Sequence, residues 1–266
     1  MSRDVLAEIV EETRRALADP DYAGGVPAAP PHRPASLRAA IERDRVRGAL
    51  LLEFKRRSPG AKDPNLPART PEEFVRLGEA AGATGFSCLA SRPRFDGAPR
   101  DVAAIVQRTR CPVLFKEFVI DPGQLDVAAR TGASAVLLLA RLAEPAYRVP
   151  IADLAGAAHD RGLEVLLEFH RRAELSLAEG VPADMFGVNT RDLASLEIRH
   201  EVAAETLRAA GARRPMLGLS GVATPDDARA LWRLGVDCLL VGSAFARSSD
   251  PVAWASTLRR PPEERP

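Results

Sequence analysis

Apolar runs of this sequence repeatedly end in side chains that can transfer protons or bind anions. Four runs close in this way: ALLLEFK with Glu53 and Lys55, CPVLFKEF with Lys116 and Glu117, LEVLLEF with Glu168 and the following His170, and DMFGVN with Asn189 and the nearby Arg191. A lysine desolvated among apolar residues, with carboxylates nearby, is the usual arrangement for general acid or Schiff-base chemistry. Each residue alone would fit a snorkelling charge or a surface salt bridge about equally well. Four convergent ends favour a catalytic site, and the residue types leave both lysine roles open.

The last two apolar runs carry a different signal, because each ends in small residues that precede a predicted helix. Ser220 and Gly221 follow PMLGL, and Gly242 and Ser243 follow DCLLV. Glycines allow the backbone to approach a ligand closely, and N–H groups at a helix N-terminus stabilise a dianionic phosphate. Either pair alone would fit a simple turn, but the two together predict a phosphate-binding site.

Eight apolar runs from Gly48 onward alternate with amphipathic helical segments. The runs are ALLLEFK, TGFSCLA, CPVLFKEF, SAVLLLA, LEVLLEF, DMFGVN, PMLGLSG and DCLLVGS. Their centres recur at roughly 20 to 35 residues, which leaves room for one helix and two loops and favours right-handed βαβ steps closed into a (β/α)8 TIM barrel. An open doubly wound sheet is disfavoured because no GxGxxG turn follows any run. In a barrel the carboxyl ends of the strands meet at one mouth, so the charged end residues would lie together.

The segment before the first run predicts two helices and a connector. Residues 4–18 place Val5, Ile9 and Leu17 at helical spacing behind Asp4, a residue type that caps helices. Residues 19–34 are rich in Pro, Gly and Ala, which is typical of an irregular connector, and a second helix is expected near residues 36–45. We expect one structural domain, with residues 1–47 as an N-terminal helical extension and connector and residues 48–266 as the barrel.

Composition restricts the class of partner. Of 266 residues, 46% are hydrophobic and 27% charged, and 37 basic against 36 acidic side chains give a formal net charge of +1. This balance provides no global field that would attract nucleic acid or a membrane surface, so a small-molecule partner is expected. No apolar run approaches the roughly 20 residues that span a bilayer, and the charges scattered through the first helix do not resemble a signal segment. A cytoplasmic protein is therefore expected.

The three cysteines predict neither a disulfide framework nor a zinc site. Cys88, Cys111 and Cys238 are widely spaced and lie in or beside apolar runs. This placement favours buried free thiols.

Five motifs, in order, resemble those of the indole-3-glycerol phosphate synthase family, and the resemblance extends from the N-terminal helix to VGSAFARSSDP. They are EFKRRSPG at 53–60, FKEFVIDP at 115–122, GASAVLLLA at 132–140, LLEFH at 166–170 and GVNTRDL at 187–193. The resemblance implies a carbon–carbon lyase of tryptophan biosynthesis that needs no metal or cofactor and works as a monomer or homodimer. The implied reaction closes the indole ring of 1-(2-carboxyphenylamino)-1-deoxyribulose 5-phosphate and releases carbon dioxide and water.

The same resemblance implies a role for each strand-end residue. Lys116 would protonate the ketose carbonyl, Glu168 would accept or donate a proton during dehydration, and Glu53 would hold the ribulose hydroxyls or share that work. Lys55 would pair with anionic substrate groups and with the catalytic carboxylates. The implied substrate-binding residues are Ser58, Phe95, Asn189 and Arg191, and the implied phosphate-binding residues are Ser220, Gly221, Gly242 and Ser243.

One departure from the family pattern concerns an active-site acid. The family usually has Glu-Ser-Gly after the seventh strand, whereas this chain has Leu219 at the first of these positions and no acid between Gly211 and Thr224. An isobutyl group can neither transfer a proton nor bind a hydroxyl, and loss of proton transfer costs roughly two to four orders of magnitude in rate. We expect Leu219 to desolvate neighbouring Lys and Glu side chains and to shift both toward their neutral forms.

Lesser departures predict a remodelled pocket. They are Phe115 in place of Arg, Glu117 in place of Asp, Ser91-Arg92 in place of Thr followed by an acid, and Gly123 in place of an aromatic residue. Arg92 and the lost acids are expected to make the mouth more positive, which would suit a substrate with an additional or displaced anionic group.

Three hypotheses follow from these patterns. The leading one is a working indole-3-glycerol phosphate synthase that tolerates Leu219. The second is a paralogous barrel lyase or cyclase that acts on a related amino-ketose phosphate in specialised metabolism, with Leu219 shaping its pocket. The third is a catalytically silent binder of phosphorylated ligands, against which stand Lys116 and Glu168, because a pure phosphate binder needs neither.

Overall fold

Eight parallel strands close into a barrel in which each strand pairs with the next along the chain and the last pairs with the first. The computed structural model describes residues 4–59, 63–191 and 199–261. The strands are β1 Ala49–Phe54, β2 Gly85–Leu89, β3 Val113–Lys116, β4 Ala135–Leu139, β5 Glu164–Phe169, β6 Met185–Asn189, β7 Met216–Leu219 and β8 Cys238–Val241. The predicted (β/α)8 TIM barrel is confirmed, and each of the eight apolar runs contains one strand.

Helices surround the barrel and follow its strands. They are α1 Val5–Leu17, α2 Leu37–Asp44, α3 Pro71–Ala80, α4 Arg92–Phe95, α5 Pro99–Val106, α6 Pro122–Thr131, α7 Ile151–Asp160, α8 His200–Ala210, α9 Pro225–Arg233, α10 Ser243–Arg247 and α11 Pro251–Ser256. Over the ranges that the structure describes, none is both long and apolar enough to cross a membrane.

The strands are continuous apolar runs because both of their faces are buried. One face fills the barrel and the other packs against the helices. On β7, a Cβ atom placed on Gly218 would point outward to Leu231 of α9, whereas the next residue, Leu219, lies inside the barrel against Gly187 of β6. The same alternation puts Glu53 and Lys55 on one face at the end of β1.

All three cysteines are free thiols. Cys88 on β2 and Cys238 on β8 are buried, as expected. Cys111 is only half-buried, because it lies before β3 and not within it.

The segment after β5 differs from the expected helical pattern. Between β5 and β6 the chain forms a 3-10 helix, Arg172–Ala178, in place of an α-helix. Its Glu174 is turned inward, is 1% exposed, and accepts a hydrogen bond from the backbone N–H of His170 at 2.7 Å. The tight turn thus returns the chain over the end of β5 and holds Glu174 beside the residues that close that strand.

Helix α1 begins at the predicted cap, and α2 lies within the range expected for the second helix. The Asp4 carboxylate accepts hydrogen bonds from the N–H groups of Leu6 and Ala7 at the start of α1, and α2 begins after Ser36. Residues 19–34 contain no helix or strand, in agreement with the expected connector.

Glu164, at the start of β5, fixes α2 to the amino-terminal end of the barrel. Its carboxylate accepts hydrogen bonds from the N–H groups of Leu37 and Arg38 at 2.8 and 3.0 Å. The Ser36 hydroxyl donates to the same carboxylate and accepts from the Ala39 N–H at 3.0 Å. Cap residue and barrel strand therefore stabilise the first turn of α2 together.

We expect Glu164→Ala to lower the free energy of unfolding by about 1–2 kcal/mol, because the substitution removes the acceptor of two first-turn N–H groups. Chemical denaturation measures the change. Glu42→Ala is the matched control, since Glu42 lies exposed on the same helix in a pair with Arg38 that is worth roughly 0.5 kcal/mol or less. Equal losses in the two variants would contradict the anchoring role of Glu164.

Candidate active site

A cavity lies where side chains from the carboxyl ends of β1, β3, β5 and β6 converge. Nine of the residues predicted from sequence line it: Glu53, Lys55, Ser58, Phe95, Lys116, Glu168, Asn189, Arg191 and Ser220. Two more predicted residues contact this lining, namely Gly242 and Ser243. Gly221 follows Ser220 in the chain. The structure therefore brings the predicted acids, bases and anion binders to one place.

Glu53 is the centre of an ion-pair cluster. Its Oε1 accepts a hydrogen bond from Lys55 Nζ and its Oε2 accepts one from Lys116 Nζ, both at 2.6 Å. The side chains of Glu53, Lys55 and Lys116 are 2%, 14% and 13% exposed. Because Glu53 ends β1 and Lys116 ends β3, the cluster forms across β2 only when the sheet has curved into a barrel. Both carboxylate oxygens are used to hold the two ammonium groups at the cavity wall.

In this cluster ion pairing affects the pKa values of Glu53 and Lys116 more strongly than burial does. Burial alone would raise the pKa of the Glu53 carboxyl, but the ammonium groups of Lys116 and Lys55 lower it to about 2. Burial lowers the pKa of Lys116, but the charges of Glu53 and Glu168 raise it above its ordinary value. The expected shift toward neutral forms is therefore wrong for Glu53 and Lys116, because each has an opposite charge in hydrogen-bond contact.

Glu168 presents a second carboxylate, one oxygen of which is held by neighbouring side chains. Its Oε1 accepts a hydrogen bond from Asn189 Nδ2 at 3.1 Å and lies 3.1 Å from His170 Nε2. Its Oε2 is buried and has no hydrogen-bond partner among the described residues. Burial raises the pKa of Glu168, but its contacts with His170 and the charge of Lys116 lower it below its ordinary value. Glu168 is thus a carboxylate of lowered pKa that lines the cavity and has one oxygen without a hydrogen-bond partner in the part of the chain that the structure describes.

Asn189 and Arg191 approach the cavity from the end of β6. Asn189 uses both ends of its amide, because Nδ2 donates to Glu168 and Oδ1 accepts from the Arg191 backbone N–H at 3.0 Å. The turn after β6 is therefore tied to the β5 carboxylate. Residues 192–193 of the GVNTRDL motif and Gly60 of EFKRRSPG lie outside the described residues.

The predicted phosphate side lies between the loop after β1 and the ends of β7 and β8. The hydroxyl oxygens of Ser58 and Ser243 are 2.9 Å apart. Ser220 and Gly221 follow β7 with φ angles of 65° and 76°. The left-handed conformation is costly for Ser, and such strain persists where the surrounding structure enforces it, often at ligand sites.

Gly242 lets the backbone after β8 lie against the ion-pair cluster. A Cβ atom at this position would lie 2.7 Å from Glu53 Oε1 and 3.1 Å from Lys55 Nζ. Any other residue would displace these charged groups. The predicted phosphate loop is therefore in contact with the predicted catalytic charges.

Helix α1 contributes to the apolar side of the cavity. The apolar lining residues are Val5, Ile9, Leu89, Phe95, Phe118, Leu137 and Leu139. Arg94, which also lines the cavity, pairs with Glu8 at 3.3 Å and with Glu12 at 2.7 Å on α1. The sequence predicted the helix and Phe95 but missed Arg94 and the rest of this wall, because no local pattern reports how α1 folds back onto the mouth.

Comparison with known proteins is consistent with this geometry. A family model described as Indole-3-glycerol phosphate synthase matches residues 6–258. The chain belongs to the indole-3-glycerol phosphate synthase family. Its relatives include Indole-3-glycerol phosphate synthase 2 of Streptomyces coelicolor, 37% identical over 84% of each chain. Another is the Indole-3-glycerol phosphate synthase of Deinococcus radiodurans, 33% identical over 96% of this chain and 94% of that one.

Solved structures outside the family share the fold. Thiamine phosphate pyrophosphorylase from Pyrococcus furiosus matches with a TM-score of 0.58 at 20% identity, over 82% of this chain and 95% of that chain. For 3-hexulose-6-phosphate synthase from Salmonella typhimurium the TM-score is 0.58 at 18% identity, over 79% of this chain and 96% of that chain. At these identities the likeness shows the barrel fold alone.

The position at which the family usually has Glu lies inside the barrel. Leu219 is fully buried, and a Cβ atom on Gly187 would lie 2.6 Å from Leu219 Cδ1. The isobutyl group therefore fills the space that Gly187 leaves, and it does not line the cavity. In this chain Leu219 contributes to the packing of the barrel, and the cavity carboxylates come from β1, β3 and β5.

Arg92 does not add positive charge to the cavity, contrary to the expectation from sequence. Its guanidinium pairs with Asp19 at 3.2 Å and Asp21 at 3.6 Å on the connector, and the residue does not line the cavity. Phe115 is likewise fully buried away from the lining. Among these lesser departures Glu117 does line the cavity.

Glu117 is a buried carboxyl group beside Lys116 in the chain. It is 5% exposed, and its Oε1 accepts a hydrogen bond from the Phe118 N–H at 2.9 Å. Burial raises its pKa to about 7, although hydrogen bonds from Phe118 and Ser91 act in the opposite direction. Tyr22 of the connector is close enough for the charge of Glu117 to add to the effect of burial and raise the phenol pKa. Glu117 thus loses its proton near neutral pH at the edge of the site.

We expect Glu117→Gln to remove a pH-dependent loss of stability. The folded pKa of about 7 lies above the ordinary value of 4.5, so the wild type is most stable below the lower value and loses stability as the pH rises through the upper one. Between about pH 5 and pH 8 the wild type should lose roughly 1–3 kcal/mol more than Glu117→Gln. Denaturation at both pH values measures this, with exposed Glu72→Gln as the control. Parallel pH dependence of Glu117→Gln and wild type would contradict the raised pKa.

Proposed function

We propose that this chain is a working indole-3-glycerol phosphate synthase, a carboxy-lyase of tryptophan biosynthesis. It would convert 1-(2-carboxyphenylamino)-1-deoxyribulose 5-phosphate to indole-3-glycerol phosphate, with release of carbon dioxide and water. The family match over residues 6–258 and relatives named for this activity support the proposal. Whether the active protein is a monomer or a homodimer stays a prediction.

The observation that carries this proposal is the charged, buried Lys116 ammonium in a cavity with a free carboxylate oxygen. Lys116 Nζ lies 2.6 Å from Glu53 Oε2, and the pKa of Lys116 is raised above its ordinary value. Glu168 Oε2 has no hydrogen-bond partner within the described ranges. A held proton donor and an acceptor without another partner in one cavity are what a ring closure followed by dehydration requires. A pure phosphate binder needs neither group.

Lys116 is proposed as the general acid of ring closure. The ring carbon that bears the carboxylate attacks the ketose carbonyl carbon, and the carbonyl electron pair moves to oxygen. Lys116 Nζ–H donates a proton to that oxygen, which becomes a hydroxyl group. The carboxylate then leaves as carbon dioxide, and its bonding electrons restore the aromatic ring. Burial of Lys116 strengthens its interaction with the developing oxyanion.

Glu168 is proposed as the base of dehydration. Its Oε2 accepts a proton from the methylene carbon next to the hydroxyl-bearing carbon and returns it to the departing hydroxyl group, which leaves as water. The double bond that forms completes the indole ring. Asn189 holds the other oxygen of Glu168 at 3.1 Å, which keeps Oε2 directed at the substrate.

The remaining residues are proposed to bind the two ends of the substrate. The phosphate would lie against Ser58, Ser220, Gly221, Gly242 and Ser243. Lys55, which donates a hydrogen bond to Glu53 and lies beside Gly242, would neutralise anionic groups between the phosphate and the reacting carbons. Arg191 would bind the sugar or anthranilate side, and the apolar wall that includes Phe95 would pack against the aromatic ring.

The two alternative hypotheses receive less support. The family match and the relatives favour the synthase over a silent binder of phosphorylated ligands. An altered substrate would be favoured by a pocket reshaped at position 219, but Leu219 is packed inside the barrel and does not line the cavity.

We expect Lys116→Ala to lower kcat by roughly two to four orders of magnitude, because the general acid is lost. Product formation from the carboxyphenylamino deoxyribulose phosphate is followed by indole fluorescence, with exposed Arg76→Ala as the control. Thermal stabilisation of Lys116→Ala by inorganic phosphate checks that the variant folds and keeps the anion site. A folded variant with wild-type turnover would refute the role of Lys116. An inactive wild type that is stabilised by phosphate would favour a silent binder or an altered substrate.

We expect Leu219→Glu to leave kcat within about threefold of wild type and to lower stability, because it replaces a fully buried apolar group with a carboxyl group. The same fluorescence assay and a thermal melt measure both effects, and Leu219→Gln, similar in size and uncharged, separates charge from shape. A rise in kcat of about tenfold or more in Leu219→Glu alone would indicate a site tuned away from this reaction.

A further inference from the structure

Glu168 belongs to a row of buried charged groups that continues away from the cavity. His170 lies two residues after Glu168, and its Nε2 is 3.1 Å from Glu168 Oε1. On its other side, His170 Nδ1 is 3.7 Å from Oε2 of Glu174. The side chains of Glu168, His170 and Glu174 are 3%, 6% and 1% exposed. An imidazole ring thus lies between two carboxylates in a region shielded from water.

This arrangement favours the doubly protonated imidazolium. A neutral imidazole has only one N–H, so the lone pair of its other nitrogen would point at a carboxylate, which is repulsive. Without the imidazolium charge, Glu168 and Glu174 would also be two buried anions separated by a single neutral ring, which is costly at low dielectric. Burial lowers the pKa of His170, but the two carboxylates raise it to about 9.

We propose that His170, held as an imidazolium between Glu168 and Glu174, is a positioning residue that fixes one oxygen of Glu168 and directs the other at the substrate. Glu168 Oε1 is contacted from two directions, by His170 and by Asn189 Nδ2. The carboxyl group therefore has a defined rotation, and Oε2 is the oxygen left for proton transfer. This inference rests on the proposed function, in which Glu168 is the base of dehydration.

Glu174 is built into the fold as the outer support of His170. Its Oε2 accepts a hydrogen bond from the backbone N–H of His170 at 2.7 Å and lies 3.7 Å from the ring nitrogen Nδ1, so the ring interacts with this oxygen by charge and not through a hydrogen bond. The 3-10 helix Arg172–Ala178 brings Glu174 to this buried position. The departure from helical geometry after β5 thus has a consequence for Glu168.

The other charged groups around this row titrate at higher pH or are exposed. Lys116 faces Glu168 from β3, and its pKa is raised above 10.5. Arg171 Nε lies 3.4 Å from Glu174 Oε1, and its side chain is 50% exposed and also pairs with Glu144 at 2.7 Å. As the pH rises from neutrality, His170 is therefore the first of these groups to lose its proton.

The sign of the pH dependence follows from this order. The folded pKa of His170, about 9, lies above its ordinary value of 6.5. Its contribution to the free energy of unfolding is therefore fully present below the ordinary value and is lost as the pH rises through the folded value. If activity requires the imidazolium, kcat falls as the pH rises through the folded value of about 9. Glu174→Gln keeps the shape of Glu174 and removes one anion, so both the pKa of His170 and the alkaline limb of kcat should move down by about one unit.

The test combines an NMR titration with pH–rate profiles for wild type, His170→Gln and Glu174→Gln. The chain has four histidines, so the imidazole signal missing from His170→Gln assigns His170. We expect a charged His170 at neutral pH, an alkaline limb of kcat that coincides with its titration, and a parallel downward shift of both in Glu174→Gln. We expect His170→Gln to lower kcat by about tenfold or more, with a smaller change in KM. The alkaline limb of kcat that comes from titration of His170 should be absent from this variant.

Two matched variants control for structural effects. Glu179→Gln changes an exposed acid just after the same 3-10 helix, and His159→Gln removes a histidine that pairs with Asp184 at 2.8 Å outside the cavity. Both should keep the wild-type profile of kcat against pH. A purely structural role of His170 would lower the melting temperature in His170→Gln and Glu174→Gln without moving the profile of Glu174→Gln.

The outcomes separate this inference from the proposed function. A neutral His170 at neutral pH in an active wild type would overturn the inference alone. A titration that shifts in Glu174→Gln while the alkaline limb of kcat stays in place would also overturn it. A wild type without turnover would overturn the proposed function and, with it, the role of His170, whatever the NMR titration gives.

Discussion

The ionised carboxylate of Glu53 is the interaction on which the site depends. It is the counter-charge for two buried ammonium groups, Lys55 on its own strand end and Lys116 on β3, at 2.6 Å each. Burial lowers the pKa of Lys116, and the charges of Glu53 and Glu168 together raise it above its ordinary value, so Glu53 helps to keep this ammonium group protonated. The cluster joins strands that are separated by β2 and therefore requires the closed barrel. The fold and the charge state of the site are thus linked through one carboxyl group.

Because Leu219 stands where the family usually has Glu, the proposed roles of charge balance and proton transfer fall to two carboxylates, Glu53 and Glu168. Both oxygens of Glu53 accept hydrogen bonds from lysine ammonium groups, so its negative charge balances theirs. Glu168 has one oxygen in contact with Asn189 and His170 and one oxygen without a hydrogen-bond partner within the described residues, an arrangement that supports its proposed role as proton acceptor. Leu219 fills the interior instead and keeps the barrel packed. Carboxylates in different environments can take different roles, as we propose for Glu53 and Glu168.

The cavity has two walls with different origins. The charged wall comes from strand ends inside the barrel, where period-two alternation and barrel closure define each side chain. The apolar wall includes Val5 and Ile9 of α1, a helix that precedes the barrel and is held over its mouth by the pairs of Arg94 with Glu8 and Glu12. These partly exposed pairs are individually weak, so this wall depends on several contacts acting together.

The sequence by itself determined the eight strands, the Asp4 cap and the types of residue at the strand ends, because strands buried on both faces appear as uninterrupted apolar runs and a cap is a local hydrogen-bond pattern. It did not determine which charges meet. The pairing of Glu53 with Lys116, the inward turn of Glu174 and the packing of Leu219 on Gly187 join residues whose distances depend on barrel closure and loop geometry. For that reason the sequence predicted neutral groups where the tertiary structure holds charged ones. A pKa is set by the distance to the opposite charge, and only the folded chain defines that distance.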